Sequence, residues 1–442
     1  MIKVITYGTY DLFHYGHQRL LERAKELGDY LIVGVTADDF DKQRGKINVK
    51  QSLMERIESV RATGLADEIV IEEYEGQKID DIKRFEVDIF TVGSDWVGHF
   101  DYLKEYCDVV YLDRTEGVSS SDIRSKNRSV NLGLVGEGNI LKKFYDESKF
   151  VNGIGVNAIL MDNEEERKCY ENDDLTFAED YDELLNLVDA VYIVSHPTKH
   201  YAQIKKALNK GKHVLCESPF ALKKGEYIEL ENLAFKNDLI LMDSIKTAYS
   251  TAYNRLLLLL KGGKIGDVYS IDATCTSLRE YDDNSWSSIT AWAPTALLPI
   301  FQILGTDYKN KSINSLILED KPNFDLFTKI DFQYENAVAS IKVANGVKSE
   351  GELIISGSEG YAYVPAPWWK TDYFELRYEN QEDNKKYFYQ LDGEGIRYEL
   401  VAFAKSIEIG KSNAYIDFEV SKAICKIMED FENNDVNSIK KY

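Results

Sequence analysis

Apolar and polar positions in the first part of the chain switch between strand-like runs and helix-like spacing. Residues 2–7 form a mostly apolar run, which predicts a buried strand, and residues 18–27 repeat apolar side chains at helical spacing. A second apolar run, residues 109–112, again precedes a turn and a candidate helix. This succession of strand, turn and helix predicts an α/β fold.

The turn between the first strand and the first helix has the sequence GTYDLFHYGH at residues 8–17. A helix start offers free backbone N–H groups and the positive end of the helix dipole, so it favours a bound phosphate. His14 and His17 are two of only six histidines in the chain. Gly8 and Gly16 leave room for a ligand near the backbone. These features favour a phosphate site over a pair of purely structural histidines.

A second candidate phosphate motif, RTEGVSSSDIR, lies at residues 114–124. Serine hydroxyls and backbone N–H groups at a helix start can hold phosphate oxygens. Arg114 and Arg124 can add charge-assisted hydrogen bonds. An ordinary helix cap is the alternative interpretation of the serine run, and this motif alone leaves both open.

Together the two motifs resemble the signatures of the glycerol-3-phosphate cytidylyltransferase family, which belongs to the HxGH nucleotidyltransferases. The resemblance extends over residues 2–124 and includes the segment GSDW at residues 93–96. It implies a Rossmann-like domain in which an acceptor phosphate attacks the α-phosphorus of CTP and pyrophosphate leaves with Mg²⁺. The implied acceptor is glycerol 3-phosphate, and the implied product is CDP-glycerol for cell-surface polymers. Tetritol and pentitol phosphates stay open, whereas phosphocholine and phosphoethanolamine are disfavoured.

The resemblance also implies roles for individual residues. The implied catalytic residues are His14, His17, Lys46 and Arg114. The implied nucleotide-binding residues are Thr9, Tyr10, Asp11, Arg56, Asp95, Trp96, Thr115, Ser119, Ser120 and Ser121. Asp11 is expected to orient a neighbouring group or the water shell of the metal, and no side chain is expected to bind the metal directly. The chain departs from the family at Gly64 or Leu65, where the family has an arginine, and Arg61 is the candidate substitute.

Length, charge and cysteine content narrow the choice of partners and compartment. A chain of 442 residues predicts two or three domains. A formal net charge of −22 argues against a nucleic-acid partner. The five cysteines are scattered without metal spacing, which favours reduced thiols in the cytoplasm. We expect neither a signal peptide nor a membrane span, and we expect a homodimer or a higher homo-oligomer.

A new strand, glycine turn and helix begin at residue 130, and the segment GKHVLCESP follows at residues 211–219. This half of the chain resembles the Gfo/Idh/MocA oxidoreductases from about residue 131 onward. The resemblance implies a Rossmann dinucleotide-binding domain, followed by an α+β domain with an open antiparallel sheet. The implied domain limits are 1–128, 129–247 and 248–442. The implied NAD(P)-binding residues are Gly136, Gly138, Asn139, Ile140 and Glu217.

The chain departs from the oxidoreductase pattern at the positions where the family has its proton carriers. Ser218 occupies the position of the family's lysine, and Ala291 and Thr295 occupy those of its aspartate and histidine. Lys246 is the candidate replacement, although a solvated lysine at a helix start is the favoured interpretation. Two functions therefore stay open: a cytidylyltransferase with a degenerate oxidoreductase-like module, or a bifunctional enzyme that also reduces a keto-phosphate or sugar precursor with NAD(P)H.

Overall fold

The computed structural model describes residues 1–37, 49, 51–74, 76–113, 130–136, 138–151, 153–170, 175–278, 285–319, 321, 324–389, 391–433 and 435–441. The chain divides into two compact units, Met1–Asn127 and Arg128–Tyr442. The three predicted domain limits stay predictions. Among the helices of the described residues, none is both long enough and apolar enough to cross a membrane.

The first unit is a parallel sheet with helices on both faces. Its strands are β1 (Lys3–Gly8), β2 (Tyr30–Thr36), β3 (Glu68–Glu72), β4 (Ile89–Gly93) and β5 (Asp108–Leu112), and its helices are α1 (Tyr15–Glu26), α2 (Leu53–Arg61) and α3 (Gln77–Phe85). Successive side chains of β1 enter opposite cores, because Val4 packs with Leu21 while Ile5 packs with Ile82. Burial on both faces explains why the strands read as continuous apolar runs.

The strand order of this sheet, β3-β2-β1-β4-β5, reverses direction between β1 and β4. Both strands run parallel, with Thr6 beside Thr91. The loops that leave their carboxyl ends diverge to opposite faces of the sheet and open a crevice between them, which is the usual ligand site of such sheets. The predicted histidine motif follows β1, at this crevice.

The second unit begins with another parallel sheet, in the order β11-β10-β9-β6-β7-β8. Its strands are β6 (Val130–Gly136), β7 (Ile154–Leu160), β8 (Thr176–Phe177), β9 (Ala190–Val194), β10 (His213–Glu217) and β11 (Leu241–Ser244). The helices are α4 (Asn139–Ser148), α5 (Glu164–Arg167), α6 (Tyr181–Leu187), α7 (Pro197–Asn209) and α8 (Lys224–Lys236). The predicted Rossmann fold is confirmed.

The remainder of the second unit is a nine-stranded sheet in the order β19-β18-β17-β16-β12-β15-β14-β13-β20. Its strands are β12 (Val268–Thr276), β13 (Asn310–Leu318), β14 (Asp325–Gln333), β15 (Val338–Ala344), β16 (Leu353–Gly357), β17 (Tyr361–Val364), β18 (Tyr373–Arg377), β19 (Lys385–Phe388) and β20 (Asn437–Lys441). The helices are α9 (Thr251–Lys261), α10 (Ser288–Leu304), α11 (Ile396–Ile409) and α12 (Phe418–Glu432).

This sheet is antiparallel in most of its pairs, as predicted, but two pairs are parallel. Strand β12 runs parallel to β15, and β13 runs parallel to β20. A parallel pair needs a long crossover, and α10 with the hairpin of β13 and β14 supplies it between β12 and β15. Helix α10 buries Leu297 and Ile300 completely.

Candidate functional site

The loop that leaves β1 is held in a strained conformation. Tyr10 and Leu12 both have left-handed backbone angles, with φ of 54° and 48°. Such conformations cost about 1–3 kcal/mol each for residues other than glycine. Two reciprocal hydrogen bonds to Gln51 fix the loop: Asp11 Oδ1 accepts from the Gln51 N–H at 3.0 Å, and Gln51 Oε1 accepts from the Leu12 N–H at 2.8 Å. Asp11 therefore holds the loop in place through Gln51, and its expected role beside the nucleotide or the metal stays a prediction.

The two predicted catalytic histidines lie together at the start of α1. Their ring centroids are 3.9 Å apart, and the rings are nearly parallel at 21°. His14 is the N-cap residue, and its Nδ1 accepts from the Gly16 N–H at 3.0 Å. Because Nδ1 is an acceptor, the proton of the neutral ring resides on Nε2, which becomes a donor. The first turn of α1 thus combines backbone N–H groups with two imidazoles.

Arg56 supports this loop from the protein interior. Its side chain is completely buried. Its guanidinium donates to the carbonyl oxygens of Thr9 at 2.7 Å, Thr36 at 2.8 Å and Gln51 at 3.2 Å. These bonds join the ends of β1 and β2 to the start of α2. The geometry favours a positioning role for Arg56, and direct contact with the nucleotide stays a prediction.

Asp95 and Trp96 lie at the carboxyl end of β4, in a short 3₁₀ turn over Ser94–Trp96. Asp95 is exposed and Trp96 is half-buried. The Trp96 ring packs against Phe100, with the centroids 5.8 Å apart. Since β4 is the neighbour of β1 in the sheet, these residues share the crevice edge with the histidine loop. Thr9 and Tyr10 belong to that loop itself, and Tyr10 is buried.

Several predicted residues fall on parts of the chain that the structure does not describe. These are Lys46, Arg114, Thr115, Ser119, Ser120 and Ser121. Arg61, the candidate substitute at the family departure, is exposed and forms an ion pair with Glu58.

Sequence reasoning missed a buried polar cluster beneath the same edge of the first sheet. Lys78 forms a buried ion pair with Glu72, and the Thr36 hydroxyl donates to Glu72 Oε2 at 2.9 Å. Tyr7 OH donates to Asp81 Oδ2 at 2.8 Å. The available signal was a polar residue at the last position of two apolar strands, Thr36 in β2 and Glu72 in β3.

In the second unit, the glycine turn after β6 has the geometry that close approach requires. Gly136 has a φ of 130°, and a Cβ there would lie 2.7 Å from a methyl carbon of Val194. Gly138 has a φ of 92°, and a Cβ there would meet nothing within 4 Å, so the space before α4 is open. The Gly138 N–H donates to Glu166 Oε2 at 2.8 Å. A glycine turn at a helix start is the part of a Rossmann fold that receives the pyrophosphate, so Gly136 and Gly138 fit NAD(P), with Glu166 bonded to the Gly138 N–H in this structure.

A cavity of about 660 Å³ lies at the carboxyl edge of this second sheet and is lined by residues of the second unit. Three of the predicted cofactor residues, Asn139, Ile140 and Glu217, line it. It is also lined by the residues at the family's proton-carrier positions, Ser218, Ala291 and Thr295. The structure therefore brings together the cofactor residues and the departures that the sequence identified separately.

Lys246 is not the solvated lysine that the sequence favoured. It follows β11, lines the cavity with its side chain 20% exposed, and pairs with Glu394. The prediction of a solvated lysine is wrong because Glu394, far away in the sequence, provides a counterion at the cavity wall.

Three carboxyl groups, those of Glu217, Glu399 and Asp243, lie beneath the cavity and share few hydrogen-bond donors. Ser244 Oγ lies 3.0 Å from Glu217 Oε1 and 3.0 Å from Glu399 Oε2, and Tyr192 OH donates to Glu217 Oε1 at 2.5 Å. A hydroxyl has one proton, so Ser244 can donate to only one carboxylate and the other carboxyl must donate to it. Burial raises the pKa of both partners, and it raises that of Glu399 well above its usual value. Burial also raises the pKa of the adjacent Asp243 to about 7.

Comparison with known proteins assigns the two units to different families. A cytidylyltransferase-like family model matches residues 5–126, and a model for the NAD-binding Rossmann fold of an oxidoreductase family matches residues 130–244. The glycerol-3-phosphate cytidylyltransferase of Bacillus spizizenii is 50% identical over 130 residues, which cover 29% of this chain and 100% of that protein. The enzyme of the same name from Staphylococcus aureus is 48% identical over 129 residues, covering 28% of this chain and 95% of that protein.

The second unit shares its fold with a crystallised 3-ketoreductase from Actinomadura kijaniata in complex with NADP and TDP-benzene. The TM-score is 0.63 at 16% sequence identity, and the match covers 71% of this chain and 100% of that one. At this identity the likeness establishes the fold alone.

The hydrogen bonds of Arg56 lead to a prediction about the stability of the first unit. Arg56→Met should destabilise that unit by on the order of 3 kcal/mol, since it leaves buried carbonyl groups without a donor. Arg56→Lys should recover only part of this loss, because an ammonium cannot reproduce the planar fork of the guanidinium. Thermal unfolding followed by circular dichroism measures both. Arg84→Met, at an exposed position of α3, is the control; equal stability of the Arg56 and Arg84 variants would contradict the prediction.

The raised pKa of Asp243 predicts how the stability of the second unit changes with pH. In the folded state the pKa is about 7, against an ordinary value of 3.8, so the folded protein retains a proton that the unfolded chain releases. This contribution to stability is complete below pH 4 and is lost as the pH rises towards 7, by up to about 1.4 kcal/mol per pH unit.

Asp243→Asn should therefore flatten the decline in stability between pH 4 and pH 7. Denaturant unfolding at several pH values, for this variant and for the exposed-site control Asp238→Asn, measures the effect. If Asp243→Asn retains the pH slope of the unmodified chain, Asp243 is already ionised in the folded state.

Proposed function

Because the chain belongs, through its first unit, to the cytidylyltransferase-like nucleotidyltransferases, we propose that it transfers a cytidylyl group from CTP to the phosphate of a small polyol, with glycerol 3-phosphate as the preferred acceptor. The observation that carries this proposal is the stacked pair of His14 and His17 at the start of α1, beside the crevice of the first sheet. High identity to glycerol-3-phosphate cytidylyltransferases over the same residues supports the choice of acceptor.

In the proposed reaction, an oxygen of the acceptor phosphate attacks the α-phosphorus of CTP. The bond from the α-phosphorus to the bridging oxygen breaks, and pyrophosphate leaves. The attacking phosphate is already anionic, so the step needs no general base, and catalysis consists of positioning and charge stabilisation. His14, with its proton on Nε2, and His17 would donate to phosphate oxygens of CTP. Lys46 and Arg114 would neutralise the triphosphate.

Mg²⁺ would accompany the triphosphate and neutralise charge on the leaving pyrophosphate. Its usual ligands in such sites are substrate phosphates with a few side-chain oxygens or waters. Asp11, buried behind the loop and bonded to the Gln51 N–H, suits orientation of the loop rather than proton transfer. The product would be a CDP-alcohol for the assembly of cell-surface polymers, made in the cytoplasm by a homo-oligomer.

For the second unit, we propose NAD(P) binding without hydride transfer at a useful rate. Gly136 and Gly138 provide the glycine turn, and Asn139, Ile140 and Glu217 line the adjoining cavity. The cofactor would supply or accept hydride. Ser218, Ala291 and Thr295 provide neither a cationic donor nor a usual proton carrier at the expected positions. The bifunctional alternative rests on one observation, that Lys246 lines the same cavity.

We expect pyrophosphate release that requires both CTP and glycerol 3-phosphate or a related polyol phosphate. His17→Ala should lower kcat about a hundredfold, the usual effect of removing one donor to the transition state. The measurement is a coupled pyrophosphate assay with Mg²⁺ and a panel of alcohol phosphates. Gln18→Ala, at an exposed position of the same helix, should retain activity. Normal turnover by His17→Ala would remove the assigned role of the motif, and equal use of ATP would remove the base specificity.

We expect no substrate-dependent oxidation of NADPH or NADH when the protein is mixed with keto-phosphates. The physical reason is the lack of a proton carrier at Ser218, Ala291 and Thr295. Absorbance of the reduced cofactor measures the reaction. Oxidation that Lys246→Ala abolishes would establish the bifunctional enzyme with Lys246 as the donor. Oxidation that survives Lys246→Ala would also overturn the prediction, with another donor.

A further inference from the structure

Three lysines from separate elements of the second unit converge on one carboxylate at the cavity wall. Lys143 of α4 lies 2.9 Å from Glu394 Oε1, and Lys370, which follows β17, lies 3.0 Å from the same oxygen. Lys246, after β11, pairs with Glu394 Oε2. All three lysines line the cavity described above. Such a convergence places several ammonium groups within reach of a single anion.

The turn that carries Glu394 is built to hold this carboxylate in place. Gly393, Glu394 and Gly395 have consecutive left-handed φ angles of 64°, 52° and 93°. A Cβ at position 395 would lie 2.1 Å from the carbonyl oxygen of Lys246, so only glycine fits against that strand end. A left-handed glutamate costs free energy that its surroundings must offset. Here the carboxylate of Glu394 is held by the ammonium groups of Lys143, Lys246 and Lys370.

Charges at the cavity do not cancel. In the part of the chain that the structure describes, the charged residues lining the cavity are Lys143, Lys246, Lys370 and Glu217. With Glu394 added, the wall itself has three ammonium groups and two carboxyl groups, an excess of one positive charge at the wall, while the carboxyls of Asp243 and Glu399 lie buried beneath it. Burial raises the pKa of Glu217. The chain as a whole has a formal net charge of −22, so this local excess is opposite in sign to the rest of the protein.

The wall of the same cavity also includes three indole rings, from Trp286, Trp292 and Trp369. The rings of Trp292 and Trp369 lie with their centroids 5.1 Å apart, and Trp292 Nε1 donates to Asn345 Oδ1 at 2.8 Å. These rings are thus fixed surfaces that suit the C–H groups of a small carbon chain, while Asn345 offers a polar contact. A few polar groups on an apolar wall are the usual composition of a small-molecule site.

We propose that this cavity binds a small polyol phosphate, with the dianionic phosphate group held by Lys143, Lys246 and Lys370 and the carbon chain against the tryptophans. The site goes beyond the proposed cytidylyl transfer, because it lies within the second unit and needs no CTP. Glu394 is the internal anion with which the phosphate shares the lysines. Removing the negative charge of Glu394 therefore strengthens phosphate binding, whereas removing a lysine weakens it.

Tryptophan fluorescence of the full chain tests the proposal with little interference from the first unit. The chain has five tryptophans, and Trp96 is the one that lies in the first unit. In the Trp96→Phe variant the signal comes from Trp286, Trp292 and Trp369 in the cavity wall and from Trp368, whose ring is 6.4 Å from that of Trp369. Titration with glycerol 3-phosphate in the absence of CTP should give a saturable change, and glycerol should give none. An equal response to glycerol, or no response to glycerol 3-phosphate, overturns the proposal.

Substitutions in the same Trp96→Phe background separate binding from a merely structural role. Lys370→Met should weaken glycerol 3-phosphate about tenfold or more, as expected for loss of a charge-assisted hydrogen bond. Glu394→Gln should tighten it severalfold. Lys309→Met, which removes an exposed lysine of the same unit paired with Glu335, is the matched control. If Glu394→Gln weakens binding as much as Lys370→Met, the cluster only supports the fold and the proposal fails.

The result of the fluorescence titration does not depend on whether the first unit is a cytidylyltransferase. The Trp96→Phe background lacks the tryptophan of the first unit, and His17→Ala in that background should leave the cavity response unchanged. Pyrophosphate release without a cavity response overturns this inference alone. A cavity response without pyrophosphate release overturns the proposed transferase and leaves this site standing.

Discussion

The ligand edge of the first unit depends on the guanidinium of Arg56. A charged group without access to water is stable only when hydrogen-bond acceptors surround it, and Arg56 meets this requirement with backbone carbonyls of Thr9, Thr36 and Gln51. One buried cation thereby ties together two strand ends and the start of a helix. The strained conformations of Tyr10 and Leu12 persist because the segments on both sides of them are fixed. The position of His14 and His17 depends on this arrangement.

Buried ionisable groups in the second unit are compensated in a different way. Glu217, Asp243 and Glu399 lie close together beneath the cavity, where the related oxidoreductases are expected to carry a lysine at the position of Ser218. A serine hydroxyl cannot neutralise three carboxyl groups. Burial raises the pKa of all three carboxyls, and Ser244 Oγ lies within hydrogen-bond distance of both Glu217 and Glu399.

Much of the fold could be predicted from the sequence, because buried parallel strands leave an unbroken apolar run and glycine turns mark their carboxyl ends. The apolar run at residues 109–112 lies within β5, and the histidine turn lies between β1 and α1 as expected. What could not be predicted is which side chains meet across the fold. Lys143, Lys246, Lys370 and Glu394 are spread over 252 residues of sequence, and no local pattern marks them as neighbours. Gln51 escaped notice for the same reason, since its amide acts on a loop about forty residues earlier.

The two candidate phosphate sites attract anions by different physical means. In the first unit the described donors are backbone N–H groups at a helix start and the two imidazoles, so they act at hydrogen-bond distance and depend on geometry. In the second unit the donors are ammonium groups that already hold a carboxylate, so an incoming phosphate competes with an internal anion.

Around a chain with a net charge of −22, the long-range field repels phosphates, and screening at physiological ionic strength confines that repulsion to about 8 Å. Added salt therefore acts in two directions at the lysine cluster: it reduces the repulsion from the surface, and it weakens the attraction of the partly exposed ammonium groups. For the backbone N–H groups at the histidine turn the first effect is the larger one, because hydrogen bonds from uncharged groups are little affected by screening.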